Sequence, residues 1–255
     1  MASPQASRVG GVLSADLAVP EHERELRFYS SVLTTGDNPL WRDDLMNSDG
    51  IPIIGVGERG PTYAELPLQW MPHIQVADVA ASAQRALGRG GRELMHHKDD
   101  FGQSQWAVFA DPNGAAFGII PVVAPEAVPP LEGGRIAWLD LTVADASETR
   151  DFYQDVVGWS AEDVDMKDAS GRYVDYALRT PDGTAVAGVC HARGVNEDLP
   201  PVWLICLPVG DLDESLSRAR KEGGEVVHAR RGSTGDYDYA VIRDPVGVCF
   251  ALIPG

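Results

Sequence analysis

Apolar and polar positions along the chain follow two periods in turn, and the switch from one to the other recurs four times. Residues 12–19, VLSADLAV, alternate as a strand does, and the stretch after them carries Leu26, Tyr29 and Leu33, with Phe28 and Val32 beside them, at helical spacing. MPHIQV at 71–76 precedes a second helical stripe of Ala83, Ala86 and Leu87. IAWLDLTV at 136–143 precedes a third, with Thr149, Phe152, Tyr153 and Val156, and VWLICLPV at 202–209 a fourth, with Leu212, Leu216 and Ala219. Pro20 and the glutamates at 21, 23 and 25 suit the start of the first helix, where a missing N–H costs nothing and acids meet the positive end of the dipole. Asp78 stands at the start of the second.

The chain also repeats itself. Trp106–Pro121 reads WAVFADPNGAAFGIIP and returns 133 positions later as YAVIRDPVGVCFALIP, Tyr239–Pro254. LAVPEHERELRFYSSVL from Leu17 returns 124 positions later as LTVADASETRDFYQDVV from Leu141, so two kinds of unit alternate along the chain. Asp-Pro-X-Gly combines an acid that can bond its own backbone, a fixed φ and a residue tolerant of the left-handed region, which makes each phrase an antiparallel hairpin. Each unit then reads as a strand, a helix and about three more strands. The predicted class is α+β, with four tandem βαβββ units. VVAPEAVPPLEGG at 122–134, with three prolines and two glycines, denies helix and central strand alike. The predicted organisation is a first domain over 9–122, a Pro-rich linker over 123–134 and a second domain over 135–254.

Composition narrows the partners. The 255 residues are 44% hydrophobic, ample for one large core or two ordinary ones. A net charge of -17, from 38 acidic and 21 basic residues, repels phosphate backbones and anionic lipid, so neither nucleic acid nor a membrane is an expected partner. Cys190, Cys206 and Cys249 form no disulfide framework and no zinc-like spacing, the N-terminus does not read as a signal peptide, and no apolar run is long enough to span a bilayer. The expected setting is the cytoplasm, as a monomer or homodimer.

The opening strand, the acid-started helix carrying FYxxV at 28–32 and 152–156, and the closing DPxG hairpin resemble the glyoxalase, bleomycin-resistance and extradiol-dioxygenase superfamily, the vicinal oxygen chelate proteins. The resemblance runs from about Val9 to Pro254. It implies that paired βαβββ units curve their mixed sheets into two cups with helices outside. It also implies where a metal would bind: a histidine or glutamine early on the opening strands, and a glutamate seven positions after the hairpin aspartate. Those positions hold Ser14, Met71, Trp138, Leu204, Gly118 and Ala251, none of which can supply the imidazole or carboxylate that such ions require. No metal or other cofactor is therefore expected at the family's positions. A displaced site built on His96, His97 and an acid is the one alternative.

Strand alternation places Ser14, Asp16 and Ala18 with Met71, His73 and Gln75 on one concave face, and Trp138, Asp140 and Thr142 with Leu204, Cys206 and Pro208 on the other. His73 and Asp16 are the candidate catalytic residues, an imidazole whose proton a carboxylate can fix. Cys206 beside Asp140 is a weaker pair, because an acid disfavours the thiolate. Trp138, Trp41, Gln75, Asp140, Ser14 and Met71 are candidate ligand contacts, the tryptophans because flat aromatic faces suit planar or cationic molecules. Gln105 and Tyr239 join them from the polar segments 96–105 and 230–239; Trp70, Trp159 and Trp203 read as packing. Three functions fit: metal-independent binding or sequestration of a small aromatic or cationic molecule related to antibiotics or natural products, a metal-free isomerase, lyase or tailoring enzyme using His73 and Asp16, and a non-catalytic interaction module.

Overall fold

The computed structural model describes residues 8–123 and 133–255; most of the expected linker, residues 124–132, lies outside them. In chain order the elements are β1 (Val12–Val19), α1 (His22–Leu33) and β2 (Ile54–Glu58); β3 (Met71–Val76), α2 (Val79–Gly88), β4 (Arg92–Lys98), β5 (Ser104–Ala110) and β6 (Ala116–Pro121). There follow β7 (Trp138–Val143), α3 (Ala146–Val157), β8 (Ser160–Asp168), β9 (Gly171–Arg179) and β10 (Ala185–His191), then β11 (Trp203–Val209), α4 (Leu212–Lys221), β12 (Glu225–Arg231), β13 (Tyr237–Arg243) and β14 (Cys249–Pro254). The strands make two mixed sheets, one of six and one of eight. No helix of the described residues is long and apolar enough to cross a membrane.

Three of the four units follow the βαβββ order; the first departs from it. After α1 it has only one regular strand, β2, because residues 34–53 carry the turn-forming sequence TTGDNPLWRDDLMNSDGIPI. There the Asn47 side chain accepts the backbone N–H groups of Asp49 and Ile51, at 3.1 and 2.8 Å, and only isolated bridges form. Three helices start on an aspartate cap, Asp78 where the sequence leads one to expect it, and also Asp145 and Asp211: they accept the N–H groups of Ala81, Glu148 and Glu214 in that order. Glu21, at the corresponding position of α1, makes no side-chain cap bond.

The residues group into two compact units that cut across the halves of the sequence. The described parts of Met1–Leu13, Met71–Pro129 and Trp138–Trp203 make one; the described parts of Ser14–Trp70, Pro130–Ala137 and Leu204–Gly255 make the other. In the first, strands run β3-β6-β5-β4 and β7-β10-β9-β8, and α2 packs on α3. Its core gathers Phe109, Phe117, Phe152, Tyr153, Trp159 and Trp203, with the Tyr153 ring 5.2 Å from Phe117 and 5.0 Å from Trp203. In the second, β1 pairs with β2 in parallel, β11-β14-β13-β12 run in order, and α1 packs on α4 around Phe28, Tyr29, Trp70 and Phe250.

Each DPxG turn is an aspartate-capped hairpin. Asp111 Oδ1 accepts the N–H groups of Asn113 and Ala115 at 2.8 and 2.9 Å, and Asp244 Oδ1 those of Val246 and Val248 at 3.1 and 2.7 Å. Gly114 and Gly247 take φ of 92° and 100°, the left-handed position the turn needs. The second oxygen of each aspartate accepts a tyrosine hydroxyl from the FY motif. Tyr153 donates to Asp111 at 3.3 Å and Tyr29 to Asp244 at 2.9 Å, and each hydroxyl in turn accepts an indole N–H, from Trp203 at 2.8 Å and Trp70 at 3.1 Å. Burial, then the adjacent aspartate, holds both phenols well above their usual range.

Glu25 stands in the first turn of α1, as the sequence leads one to expect, but it is fully buried beside Asp244. Its equivalent 124 positions on is Thr149, which bonds the Asp145 carbonyl and receives the Asn113 amide. Neither Glu25 oxygen has a donor among the described residues, and a protonated carboxyl beside Asp244 is the form such burial favours. Burial first, and Asp244 second, raise Glu25 from 4.5 to about 8. A carboxyl whose folded pKa is raised contributes stability that is complete below the unfolded value and fades as pH climbs through the folded one. Thermal unfolding should therefore lose on the order of 2–4 kcal/mol of stability between pH 6 and pH 9. Glu25→Gln, whose amide donates at every pH, should flatten that slope; a wild-type melting temperature unchanged from pH 6 to pH 9 would contradict the protonated carboxyl.

Candidate functional site

On the helix-free side of the strands the two halves of the chain build related constellations from a large side chain facing a small one. In β1, Asp16 is level with Gly55 of β2, and a Cβ on Gly55 would lie 2.5 Å from Asp16 Oδ1. In β7, Asp140 is level with Gly188 of β10, whose missing Cβ likewise leaves room for Asp140 Oδ1. Gly188 stands 133 positions after Gly55, so the repeat itself carried the signal for this pair.

The residues that stand where the family carries glutamate have the same logic. His73 in β3 is level with Gly118 in β6, where a Cβ would come 2.7 Å from His73 Cδ2. Cys206 in β11 is level with Ala251 in β14. The larger imidazole faces glycine and the smaller thiol faces alanine. None of Ser14, Met71, Trp138, Leu204, Gly118 and Ala251 offers a metal an imidazole or carboxylate, so the residues present do not fit the family's metal set. Among the described residues no group of three or more histidines, cysteines or acids is placed to hold an ion. His96 has both ring nitrogens engaged, by Glu93 at 3.0 Å and Ser104 at 2.8 Å, while His97 stacks on Trp106 at 5.6 Å.

The most developed chemistry lies on β7, β10 and β9, on the face opposite α3. Trp138, half-buried, donates its indole N–H to Asp140 Oδ1 at 3.1 Å. Burial raises Asp140 from 3.8 to about 6, against the Trp138 bond and with a contribution from the nearby Asp175. Cys190, between them on β10, is pushed far above the usual thiol range by burial and then by Asp140 and Asp175, so it stays an uncharged thiol. Asp175 on β9 is 2% exposed; its Oδ1 accepts the His191 N–H at 2.8 Å and meets His191 Nδ1 at 3.0 Å. Tyr173 stands edge-on to His191 at 5.9 Å and carries the Arg193 guanidinium on its ring at 4.1 Å. Sequence reading missed Asp175, Cys190, His191 and Tyr173, because the position of β9 and β10 beside β7 follows from pairing and not from periodicity.

The other candidates are placed as follows. Gln75 is fully buried, receives the Val123 N–H on Oε1 at 2.9 Å and reaches the Gly11 carbonyl, so it ties backbone segments together. Trp41 is fully buried with its N–H on the Pro208 carbonyl at 2.8 Å, and with Thr34, Pro39, Arg42 and Ser48 it lines an open depression of about 700 Å3. Met71 is 4% exposed, and Ser14 is half-buried on β1. Gln105 is half-buried on β5 and donates to Asp99 and the Gln103 carbonyl; Tyr239 is half-buried on β13 with its ring 6.3 Å from His228. Trp70, Trp159 and Trp203 are core residues.

The His73–Gly118 fit has a direct test in urea unfolding. Gly118→Ala should cost about 1–3 kcal/mol through overpacking. Adding His73→Cys, which reproduces the Cys206–Ala251 pair, should recover at least about 1 kcal/mol of that cost in a double-mutant cycle. Strict additivity of the two changes would contradict the size complementarity.

Comparison with known proteins agrees with this geometry. The model of the glyoxalase/bleomycin resistance protein/dioxygenase superfamily matches residues 135–252, and that of a glyoxalase-like domain matches residues 13–120. The anthracycline biosynthesis proteins DnrV of Streptomyces peucetius and DauV of Streptomyces sp. strain C5 are each 29% identical over 197 residues. Those matches take in 74% of this chain and 66% of theirs, so the chain spans just under two thirds of the length of these relatives. CFP32 of Mycobacterium tuberculosis, which carries a glyoxylase name, is 24% identical over 93% of this chain and 92% of its own. Among solved structures, 2,2',3-trihydroxybiphenyl 1,2-dioxygenase of Sphingomonas wittichii superposes with a TM-score of 0.57 at 14% identity, over 97% of this chain and 91% of its own. A variant of homoprotocatechuate 2,3-dioxygenase from Brevibacterium fuscum gives 0.60 at 15% identity, over 100% and 73%. With four helices on two mixed sheets, a hairpin phrase written twice and both halves matched, the chain belongs to the glyoxalase, bleomycin-resistance and dioxygenase superfamily.

Proposed function

We propose that this protein binds a small planar aromatic molecule of the natural-product class on its helix-free faces, without help from a metal ion. The observation that carries the reading is Trp138. Its N–H is engaged by Asp140, its neighbour strand is bare at Gly188, and the indole is half-buried rather than sealed in the core. An anchored, partly open indole next to a bare glycine offers a rigid stacking surface. Two relatives named for anthracycline biosynthesis support a planar fused-ring ligand. The replacement of each metal-ligand position by a residue without imidazole or carboxylate supports metal independence.

A second reading, a metal-free isomerase, lyase or tailoring enzyme of natural-product biosynthesis, draws on His73. Gly118 leaves its imidazole uncrowded, and a half-buried imidazole on the helix-free face suits proton transfer near neutral pH. Turnover of a bound compound that is lost in His73→Ala, with binding kept, would favour this reading over binding alone.

Binding is tested by native mass spectrometry and isothermal titration against planar aromatics, beginning with an anthracycline. A complex should be retained, and Trp138→Ala should weaken it about tenfold, a loss of about 1.4 kcal/mol. Failure to retain any compound of the panel would overturn the proposal.

A further inference from the structure

The geometry points to a subsite for a protonated amine between Asp140 and Asp175, on the face of β7, β10 and β9 opposite α3, so that the ligand is an aromatic molecule bearing a basic nitrogen. The inference rests on the binding reading and adds a charge requirement to it.

Strand register sets up the site. Asp140 is level with Gly188, and Gly188 is level with Ala177, two residues from Asp175 on the same face of β9. Because Gly188 has no Cβ, the Asp140 carboxylate leans over its backbone, towards β9. Between the two acids the strand presents only this glycine and the Cys190 thiol. Asp175 is 2% exposed, and its Oδ2 is buried without any hydrogen-bond partner. Strand alternation puts it on the same face as Asp140 and Cys190, close enough for its charge to act on both. A buried carboxylate oxygen without a donor is costly, and a native protein rarely carries one that has no use.

The cations nearby are committed elsewhere. Arg193 holds Asp168 through two bonds of 2.6 and 2.9 Å, Arg179 holds Glu162 at 2.7 Å, and Arg150 on α3 holds Asp151 while stacking on Tyr176. His191 meets Asp175 through Oδ1 and leaves Oδ2 untouched. The face therefore has two acids, a neutral thiol and two aromatic flanks, Trp138 and Tyr173, with a donor missing. A metal ion is a poor occupant: Cys190 stays protonated, and these residues do not make up a metal-holding group. An alkylammonium supplies up to three N–H donors and one positive charge, and gains from aromatic flanks.

The test compares 2-(aminomethyl)naphthalene with its N-acetyl derivative, which keeps the ring and loses the charge. Titration calorimetry at pH 7.5 should show the amine binding at least tenfold tighter. Asp140→Asn and Asp175→Asn should each reduce that preference, read as the ratio of amine to amide affinity within the same variant, to less than twofold. Should Asp175→Asn fail to fold, Asp140→Asn carries the test alone. Lowering the pH below 6, where Asp140 takes up a proton, should erode the preference in the wild type. Equal binding of amine and amide by the wild type would overturn the amine subsite and leave the aromatic reading standing. Binding of neither would count against both.

Discussion

A buried carboxylate at the tip of a hairpin must be given donors, and the way Asp111 and Asp244 receive theirs fixes the architecture. One oxygen of each closes its own turn through two backbone N–H groups; the other takes a tyrosine hydroxyl that is itself held by an indole N–H. The pairing crosses the halves of the chain. Asp111, in the first half, receives Tyr153 from the second, and Asp244, in the second, receives Tyr29 from the first. Each compact unit is thus built from a hairpin of one half and a helix of the other, with the aromatic cluster packed around the buried bond. The relay differs between units at one position: Thr149 receives the Asn113 amide in one, while in the other the buried Glu25 carboxyl lies beside Asp244.

Much of this was legible in the sequence. The alternating runs, the helical stripes and the two DPxG hairpins fall where the pattern puts them, and Trp70 and Trp203, equivalent under the 133-residue repeat, take the packing role read for them. Which hairpin would meet which helix was not legible, because the repeat makes Tyr29 and Tyr153 equivalent and only tertiary packing chooses between the aspartates. The burial of Glu25 was hidden for a related reason: acids at a helix start are usually solvated, and nothing local marks one as facing a second carboxylate.

The site was legible in part. Alternation gives the face on which a strand residue points, but not what covers it. Gln75 is fully buried and ties down Val123, and Trp41, whose indole N–H bonds the Pro208 carbonyl, also lines the depression beside Arg42 and Ser48. Trp138 and Asp140 do come together, as a hydrogen-bonded pair over Gly188. Asp175 and Cys190 could be added only once β9 and β10 were known to lie beside β7.

The small residues at the family's glutamate positions tie these observations to function. Gly118 admits the His73 imidazole and Ala251 is level with Cys206, so small residues at these positions leave room for the side chain of the neighbouring strand. On the proposed reading, the anchored indole, the acid beside it and the bare strand at Gly188 receive an organic ligand rather than an ion. The most direct test is to titrate an anthracycline into protein dialysed against a strong chelator, and again after adding iron, zinc, nickel or manganese. The same affinity in each titration is the predicted result; binding that appears only when a metal is restored would contradict it.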